Sequence, residues 1–579
     1  MHTRRLFTRA RTRIQKTVER VWLEATEPRI TSAQKLSNRA FLAKFHLEGQ
    51  AVTKESLLTH YGCRAMPAWP APPSRLRDLR LDTGALSREE LVALANDILE
   101  HRFVLRLTAP KVTAKGKIDW HVNPTSDPEW LWALNRHQWW PVLGLAYARS
   151  GDERYATAFV TQMLDWAKNC PLSVRKDEKS PMMACLVRPD GTFPQVNDGS
   201  FYWDYTQLAR AGEAFGREDL IYIGTDGNQG TRPADTSVGF NDAGLYVMRS
   251  SWTKDARYLL FNAGPYGGPH GHEDKLSIEV FAFGQPFIVD SGSYTYEKAD
   301  PFRTYFVGSE GHNTVLVDGQ SQVRRWRKGS LNPKPARGND ATWISEPDFD
   351  YVSATYDDGY SSFSFDKPDD AQVIRDVIHT RRILFVRPDY WVIVDQLDAS
   401  VPHSYQVLFH AAPELAVRVG SDNKVILETA PGGAALYLIP ADSHAAKVSC
   451  LAGSMDPIQG WYSPGTRQKT SATAVIYEQE HRASTAVATL LYACPSGQSG
   501  DDINIEPLAV SGGKGLAFVV ATDRGRDYLL FSQGDDSDLR QFGPYQARGI
   551  VAGIRTDNRG NILTQFESWQ MASGYSQNG

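Results

Sequence analysis

The sequence predicts a multidomain protein of α plus β class, with a helical first half followed by a large antiparallel β-sandwich. Three observations carry this. The chain has 579 residues, more than one hydrophobic core ordinarily serves. Apolar residues recur at helical spacing up to about Phe215. From about Ser237 the period drops to two, in short β-rich runs bounded by Gly, Asp or Pro.

The helical half reads in order. In "SREELVALANDILEHRF", Ser87 stands three residues before Glu90, the spacing of a capping box, and apolar residues follow at helical intervals. "PEWLWALNRHQWWPVLGLAYARSG" and "DERYATAFVTQMLDWAKNCP" each carry a long apolar stripe and stop at Gly or Pro. Their short connection around Gly151 predicts an antiparallel helix pair. Residues 170–197 hold charges and prolines without a sustained period, which predicts a loop. In the second half, "AGLYVMRSSW", "YLLFNAG", "LSIEVFAFG", "HNTVLVDG", "RRILFVRPDYWVIVDQLD" and "GLAFVVATD" read as strands, and "RPDY" as a hairpin turn. So many strands in succession predict a sandwich.

Composition narrows the function. Hydrophobic residues make up 41% and charged residues 22%, as in a soluble globular protein. The net charge of −4, from 63 basic and 67 acidic residues, gives no general attraction to nucleic acid. The five cysteines (63, 170, 185, 450 and 494) are odd in number and scattered, with neither metal-ligand spacing nor a disulfide framework. The basic start, "MHTRRLFTRARTRIQKTVERVWLEATEP", lacks the unbroken apolar core of a secretory leader. No stretch approaches the roughly 20 apolar residues of a membrane span. Aromatics reach 11%, with 15 Trp and 24 Tyr; their flat faces suit sugar rings as well as protein cores.

Candidate chemistry concentrates in "GPYGGPHGHEDKLSIEVFAFGQPFIVDSGSYTY", Gly264 to Tyr296. On an extended backbone His270 and His272 point the same way. Glycines at 267, 268 and 271 let the backbone approach closely. Asp290 ends the run "PFIVD", and His312 opens "HNTVLVDG". Two His and one Asp with an open fourth position make a good zinc set, and the combination suits other divalent metals. The competing reading is a polar loop whose histidines bond backbone carbonyls. Geometry sets a condition on the metal. In a simple hairpin turning at 284–286, Asp290 would pair near Glu279, about 23 Å from His272 along an extended chain. The glycine-rich loop must therefore fold back over the sheet.

"HGHEDKLSIEVFAFGQPFIVDSGSYTY" with "FRTYFVGSEGHNTVLVDGQSQ" resembles the C-terminal sheet domain of heparinase II/III-like polysaccharide lyases. "RRILFVRPDYWVIVDQLD…HSYQVLFH" and "GWYSPG" extend the likeness. "KIDWHVNPTSDPEWLWALNRHQWWPVLGLAYARSGDERY…LDWAKNCP" resembles their helical N-terminal domain. The resemblance implies an (α/α) toroid, here incomplete, joined to the sandwich with the substrate cleft between them. It divides the chain into an N-terminal extension (1–81), a toroid-like domain (82–220, shortened near 171–190) and the sheet domain (236–579). It implies β-elimination on uronic-acid polysaccharides such as heparan sulfate, alginate or a bacterial exopolysaccharide. His272, Asp290 and His312 would then hold a zinc that braces the site, and His270 would meet the uronate or assist proton transfer.

The family's carboxylate-binding Asn and acid–base Tyr lie on later toroid helices, which find no counterpart here. Only irregular sequence precedes "RPDGTFPQVNDGSFYWDYTQLARAGEAFG", which resembles the toroid's final segment. Asn135, Arg136 and His137 beside a Trp pair, and Tyr294, Arg303 and Tyr305 after Asp290, are the expected substrate contacts. The alternatives for them are a helix cap, an interhelix bond or a surface ion pair. The expected partner is an acidic polysaccharide or oligosaccharide. The resemblance suggests a periplasmic location; the missing leader pattern suggests a cytoplasmic one. A non-catalytic glycan-binding protein of lyase ancestry is the second functional reading. A glycosidase needs two opposed carboxylates, and the sequence offers no convincing pair.

Overall fold

Two long strands, Tyr390–His410 and Thr473–Cys494, run antiparallel through the middle of a ten-stranded sheet. The computed structural model describes residues 87–103, 112–113, 118–120, 134, 137, 139–169, 185–199, 206–266, 270–324, 341–365, 372–420, 422–444 and 446–568. The chain divides into two compact units, Met1–Glu178 and Lys179–Gly579. Among the described residues no helix is long and apolar enough to cross a membrane.

The described residues of the first unit include three helices and a two-stranded ribbon, Arg102–Phe103 with Val112–Thr113. Helix Arg88–Leu99 starts on the expected capping box: Glu90 N–H donates to Ser87 Oγ at 3.1 Å, and Ser87 N–H donates to Glu90 Oε2 at 2.8 Å. Helices Trp140–Ser150 and Glu153–Asn169 meet at Gly151, whose φ of 68° forms a left-handed C-cap. The three helices pack around Leu91, Trp139, Leu143, Ala146 and Tyr155.

The second unit opens with residues 185–199 and a helix pair, Thr206–Phe215 and Glu218–Gly224. Three large antiparallel sheets follow, with smaller ribbons of two or three strands among the described residues. The first is a five-stranded meander: Val238–Phe240, Leu245–Arg249, Tyr258–Asn262, Ser277–Ala282 and Gln285–Ile288. The ten-stranded sheet is second. The third has five strands between Asn504 and Ser568. Side chains alternate along the central strands and explain the stacking. Ile383, Phe385, Trp391 and Ile393 share a core with Tyr246, Leu259 and Ile278 of the first sheet. Leu384, Val386, Val392 and Val394 share another with Phe518, Leu529 and Val551 of the third. The middle sheet is thus covered on both faces. That is why "RRILFVRPDYWVIV" is almost unbroken in its hydrophobicity rather than alternating. The expected sandwich has three layers instead of two.

A polar cluster sits inside this apolar stack. Arg381 and Asp395 face each other across neighbouring strands. Asp395 accepts from Arg381 Nε at 2.7 Å, Arg381 Nη2 at 3.0 Å and His379 Nε2 at 2.7 Å. Arg381 Nη1 reaches out of the sheet to the carbonyls of Leu276 at 2.7 Å and Asn313 at 2.5 Å. Both lie beside the candidate site. Burial favours the neutral acid, but Arg381 and His379 outweigh it and hold the Asp395 carboxyl down to about 2, from an ordinary 3.8.

Asp395→Ala would leave Arg381 as an uncompensated buried charge, at an expected cost of about 3–5 kcal/mol in denaturant unfolding. A folded pKa below the unfolded one gives stability that is present above 3.8 and lost as pH falls through about 2. The gap between wild type and variant should therefore narrow over that acid window. A gap that stays constant there would contradict the assignment.

Candidate metal centre and active site

Three segments of the second unit converge. Residues 270–276 lead into strand Ser277–Ala282, residues 289–293 leave strand Gln285–Ile288, and His312 follows helix Pro301–Val307 and the turn Ser309–Gly311. Gly264 and His272, on either side of the glycine pair, are drawn together by one side chain, Arg324. Leu276 takes a left-handed φ of 68°, rare for a branched side chain, and its N–H donates to Asn262 O at 2.7 Å. Arg324 holds these flanking residues from inside. Its guanidinium donates to Gly264 O at 3.0 Å and His272 O at 2.5 Å, and pairs with Asp274. Asn313 closes the other side, donating from Nδ2 to Ile278 O at 2.7 Å and Val289 O at 2.9 Å.

This brings His272, Asp290 and His312 together, each buried and each offering a donor atom within 4.8 Å of the others. His312 Nδ1 lies 2.7 Å from Asp290 Oδ2, and His272 Nε2 lies 3.0 Å from Asp198 Oδ1. The second nitrogens, His272 Nδ1 and His312 Nε2, are buried with no hydrogen-bond partner in the protein. Buried polar atoms are rarely left bare. Two bare imidazole nitrogens beside a carboxylate fit a divalent cation. Burial pushes His272 toward the neutral, ligating form. For His312 burial acts the same way, but the Asp290 carboxylate outweighs it and raises its pKa. The pocket thus favours a positive charge next to Asp290. Gly292 is required behind it: at φ 84°, a Cβ would stand 2.5 Å from Ser463 O.

His270 differs from His272. Its side chain is 59% exposed, and its Nδ1 lies 2.9 Å from Asp198 Oδ2. The exposed ring of Tyr296 meets His270 edge-on at 6.1 Å and carries the Arg303 guanidinium 4.9 Å from its centroid. Arg303 is buried, and its Nη1 donates to Asp198 Oδ1 at 3.1 Å. Ser293 Oγ donates to the same oxygen at 2.9 Å. Burial works against a charge on Asp198, but His272, Arg303 and His270 hold its carboxyl well below the usual range.

The other expected residues lie as follows. Tyr294 packs against Phe302 and Phe306, with the Lys469 ammonium 4.8 Å from its ring. Tyr305 is buried; its hydroxyl donates to Gln459 Oε1 at 3.1 Å and accepts from Trp461 N–H at 3.2 Å. It braces the hairpin Trp461–Gly465 and Gln468–Ser471 rather than facing solvent. His137 belongs to the helical unit, stacked on Trp140 at 3.8 Å and edge-on to Trp166 at 4.6 Å. Asn135 and Arg136 lie outside the described residues. Sequence reasoning missed Asp198, Ser293 and Arg324. The one signal for Asp198 was "NDG", a turn pattern at the end of the segment read as a loop.

The family described as heparinase II/III-like, C-terminal, matches residues 232–491, and the heparinase II/III N-terminus matches residues 46–201. A heparin-sulfate lyase of Bacteroides stercoris is 34% identical over 631 residues, covering 79% of this chain and 88% of that protein. The 631 aligned positions exceed the 579 residues of this chain, so many of the relative's residues stand opposite a gap. A heparin-sulfate lyase of Pedobacter heparinus is 28% identical over 239 residues. There the match covers 40% of this chain and only 32% of the relative's length. A solved heparinase III with methylated lysines superposes with a TM-score of 0.53 at 19% identity, covering 83% of this chain and 94% of that one. That last likeness is one of fold.

The close approach at Gly292 predicts that Gly292→Ala destabilises the protein more than Gly284→Ala. Both glycines have positive φ, costing roughly 1–2 kcal/mol for a Cβ-bearing residue, but Gly284 has open space around it. Thermal unfolding of the two variants reads the difference. Equal losses would mean the loop is not packed as described.

Proposed function

Because this chain belongs to the heparinase II/III-like family, we propose that it is a polysaccharide lyase cleaving an uronic-acid-containing glycan by β-elimination. His270 acts at the substrate face. His272, Asp290 and His312 hold a metal behind it, with zinc favoured by the donor set. The observation that carries this reading is the division between two histidines only two residues apart. One is exposed beside Tyr296 and Arg303; the other is buried with a bare nitrogen next to Asp290 and His312.

β-Elimination makes three demands. The uronate carboxylate must be neutralised so that its neighbouring C–H becomes acidic. A base must take that proton, and an acid must protonate the departing oxygen. With Nδ1–H donating to Asp198, the neutral ring of His270 keeps a bare Nε2 to receive the proton, whereas the imidazolium would donate Nε2–H to the uronate carboxylate. Arg303 adds buried positive charge behind Tyr296, whose exposed ring supports a role in meeting the sugar. Asn135, Arg136 and His137 are further proposed sugar contacts. When bound, the metal supplies a fixed positive charge that ties the buried histidines to Asp290. The reaction consumes no water, so it makes no demand for a metal-activated hydroxide.

The unmatched residues of the Bacteroides stercoris relative favour one second reading. If they carried the family's Asn and Tyr, this chain binds glycans without cleaving them. Incubation with heparan sulfate, alginate and bacterial exopolysaccharide separates the two. The lyase reading predicts growth of the ultraviolet absorbance of an unsaturated uronate on at least one of these. It further predicts that His270→Ala lowers kcat by about 10²–10⁴-fold with metal content unchanged. Retained glycan binding with no absorbance on any of them would establish the second reading instead.

A further inference from the structure

We propose that Asp198 is a positioning residue that holds His270 and His272 as one unit and sets the ring form in which His272 ligates metal. This rests on the metal reading given above and assigns a role to a residue outside the donor set.

The argument is one of donors and acceptors. An ionised carboxylate only accepts. His272 Nε2 lies 3.0 Å from Asp198 Oδ1, so Nε2 carries the hydrogen. In the neutral ring Nδ1 is then a bare lone pair. Nδ1 is the buried nitrogen without a protein partner, in the group formed with Asp290 and His312. Asp198 thus imposes the tautomer that leaves the ligating nitrogen free, as carboxylates behind metal-bound histidines do generally. The other oxygen, Oδ2, takes His270 Nδ1 at 2.9 Å. One carboxylate therefore fixes the exposed ring and the buried ring together.

The plainer reading is that Asp198 exists to pair with buried Arg303. That contact uses a single N–H at 3.1 Å and calls for nothing else from the loop. The loop does much more. Asn197, left-handed at φ 59°, accepts His272 N–H on its Oδ1 at 3.0 Å. Asp198 N–H donates to His270 O at 3.4 Å. The Asn-Asp pair therefore grips the backbone of the same two histidines whose rings it holds. The loop is itself moored to strand Ser277–Ala282. Gln195 N–H donates to Glu279 Oε1 at 3.0 Å, and Arg188 pairs with Glu279 at 2.9 Å. Four attachments to residues 270–272 and an anchor on their strand describe a clamp.

The test uses the full chain stripped of metal, with Zn²⁺ as the probe and a chromophoric chelator as competitor. Wild type is expected to bind one equivalent. Asp198→Ala and Asp198→Asn should bind about 10–100-fold more weakly, with Asn the milder. Arg303→Met, which removes the ion pair but neither histidine contact, should stay close to wild type. If Asp198→Ala does not fold, Asp198→Asn decides. The tautomer gives an independent readout. In metal-free protein with ¹⁵N-labelled histidine, His272 should appear as the Nε2–H form and lose that preference in the variants. Wild-type affinity in both Asp198 variants, equal loss in Arg303→Met, or an Nδ1–H form of His272 in wild type would overturn the inference and leave the metal reading standing. A wild type that binds no Zn²⁺ would overturn both.

Discussion

Arg381 is the point on which the site stands. Its guanidinium is fully buried in the middle sheet, and Asp395 and His379 make that burial tolerable. Two of its N–H groups are spent on Asp395. Nη1 is left to grasp Leu276 and Asn313, the residues next to strand Ser277–Ala282 and to His312. A buried charge has few stable arrangements, because each donor must find an acceptor. Fixing Arg381 therefore fixes the distance between the two histidine-bearing segments and the sheet beneath them.

The same rule extends outward in steps. Asn313 joins strand Ser277–Ala282 to Val289 and accepts from His410 N–H at 2.7 Å on the long central strand. Arg324 ties together the carbonyls of Gly264 and His272. Asp198 closes the group from a loop far away in sequence. Within this paired network His272 Nδ1 and His312 Nε2 stay bare, side by side with Asp290. Two bare imidazole nitrogens grouped with a carboxylate have chemical meaning, because those are metal-ligating atom types. They give the metal assignment its strength, and they separate the buried histidine from the exposed one that faces substrate in the proposed reaction.

Local features were legible in the sequence. The capping box at Ser87, the turn at Gly151 and the strand segments of the second half depend on near neighbours, and near neighbours are visible as spacing. The third sheet layer was not anticipated, because a run buried on both faces loses its alternation and with it the sign of how many layers cover it. At the site, the donors His272, Asp290 and His312 were readable from residue type. Asp198 and Arg324 were not: they reach His272 across 74 and 52 residues, and no periodicity reports such closures. Tyr296 and Tyr305 show the same limit. They lie nine residues apart, yet one is 59% exposed and the other 3%. In the seven-residue helix Pro301–Val307, five side chains are buried, so spacing there does not mark an exposed face.

The central claim is that the two histidines of "HGH" do different work, His272 toward a metal and His270 toward substrate. Anomalous diffraction at the zinc edge, from crystals grown with Zn²⁺, tests it most directly. A single strong peak in contact with His272 Nδ1, Asp290 and His312 Nε2, with none at His270, is the predicted result. No peak at that position, or a peak ligated by His270, would contradict the account.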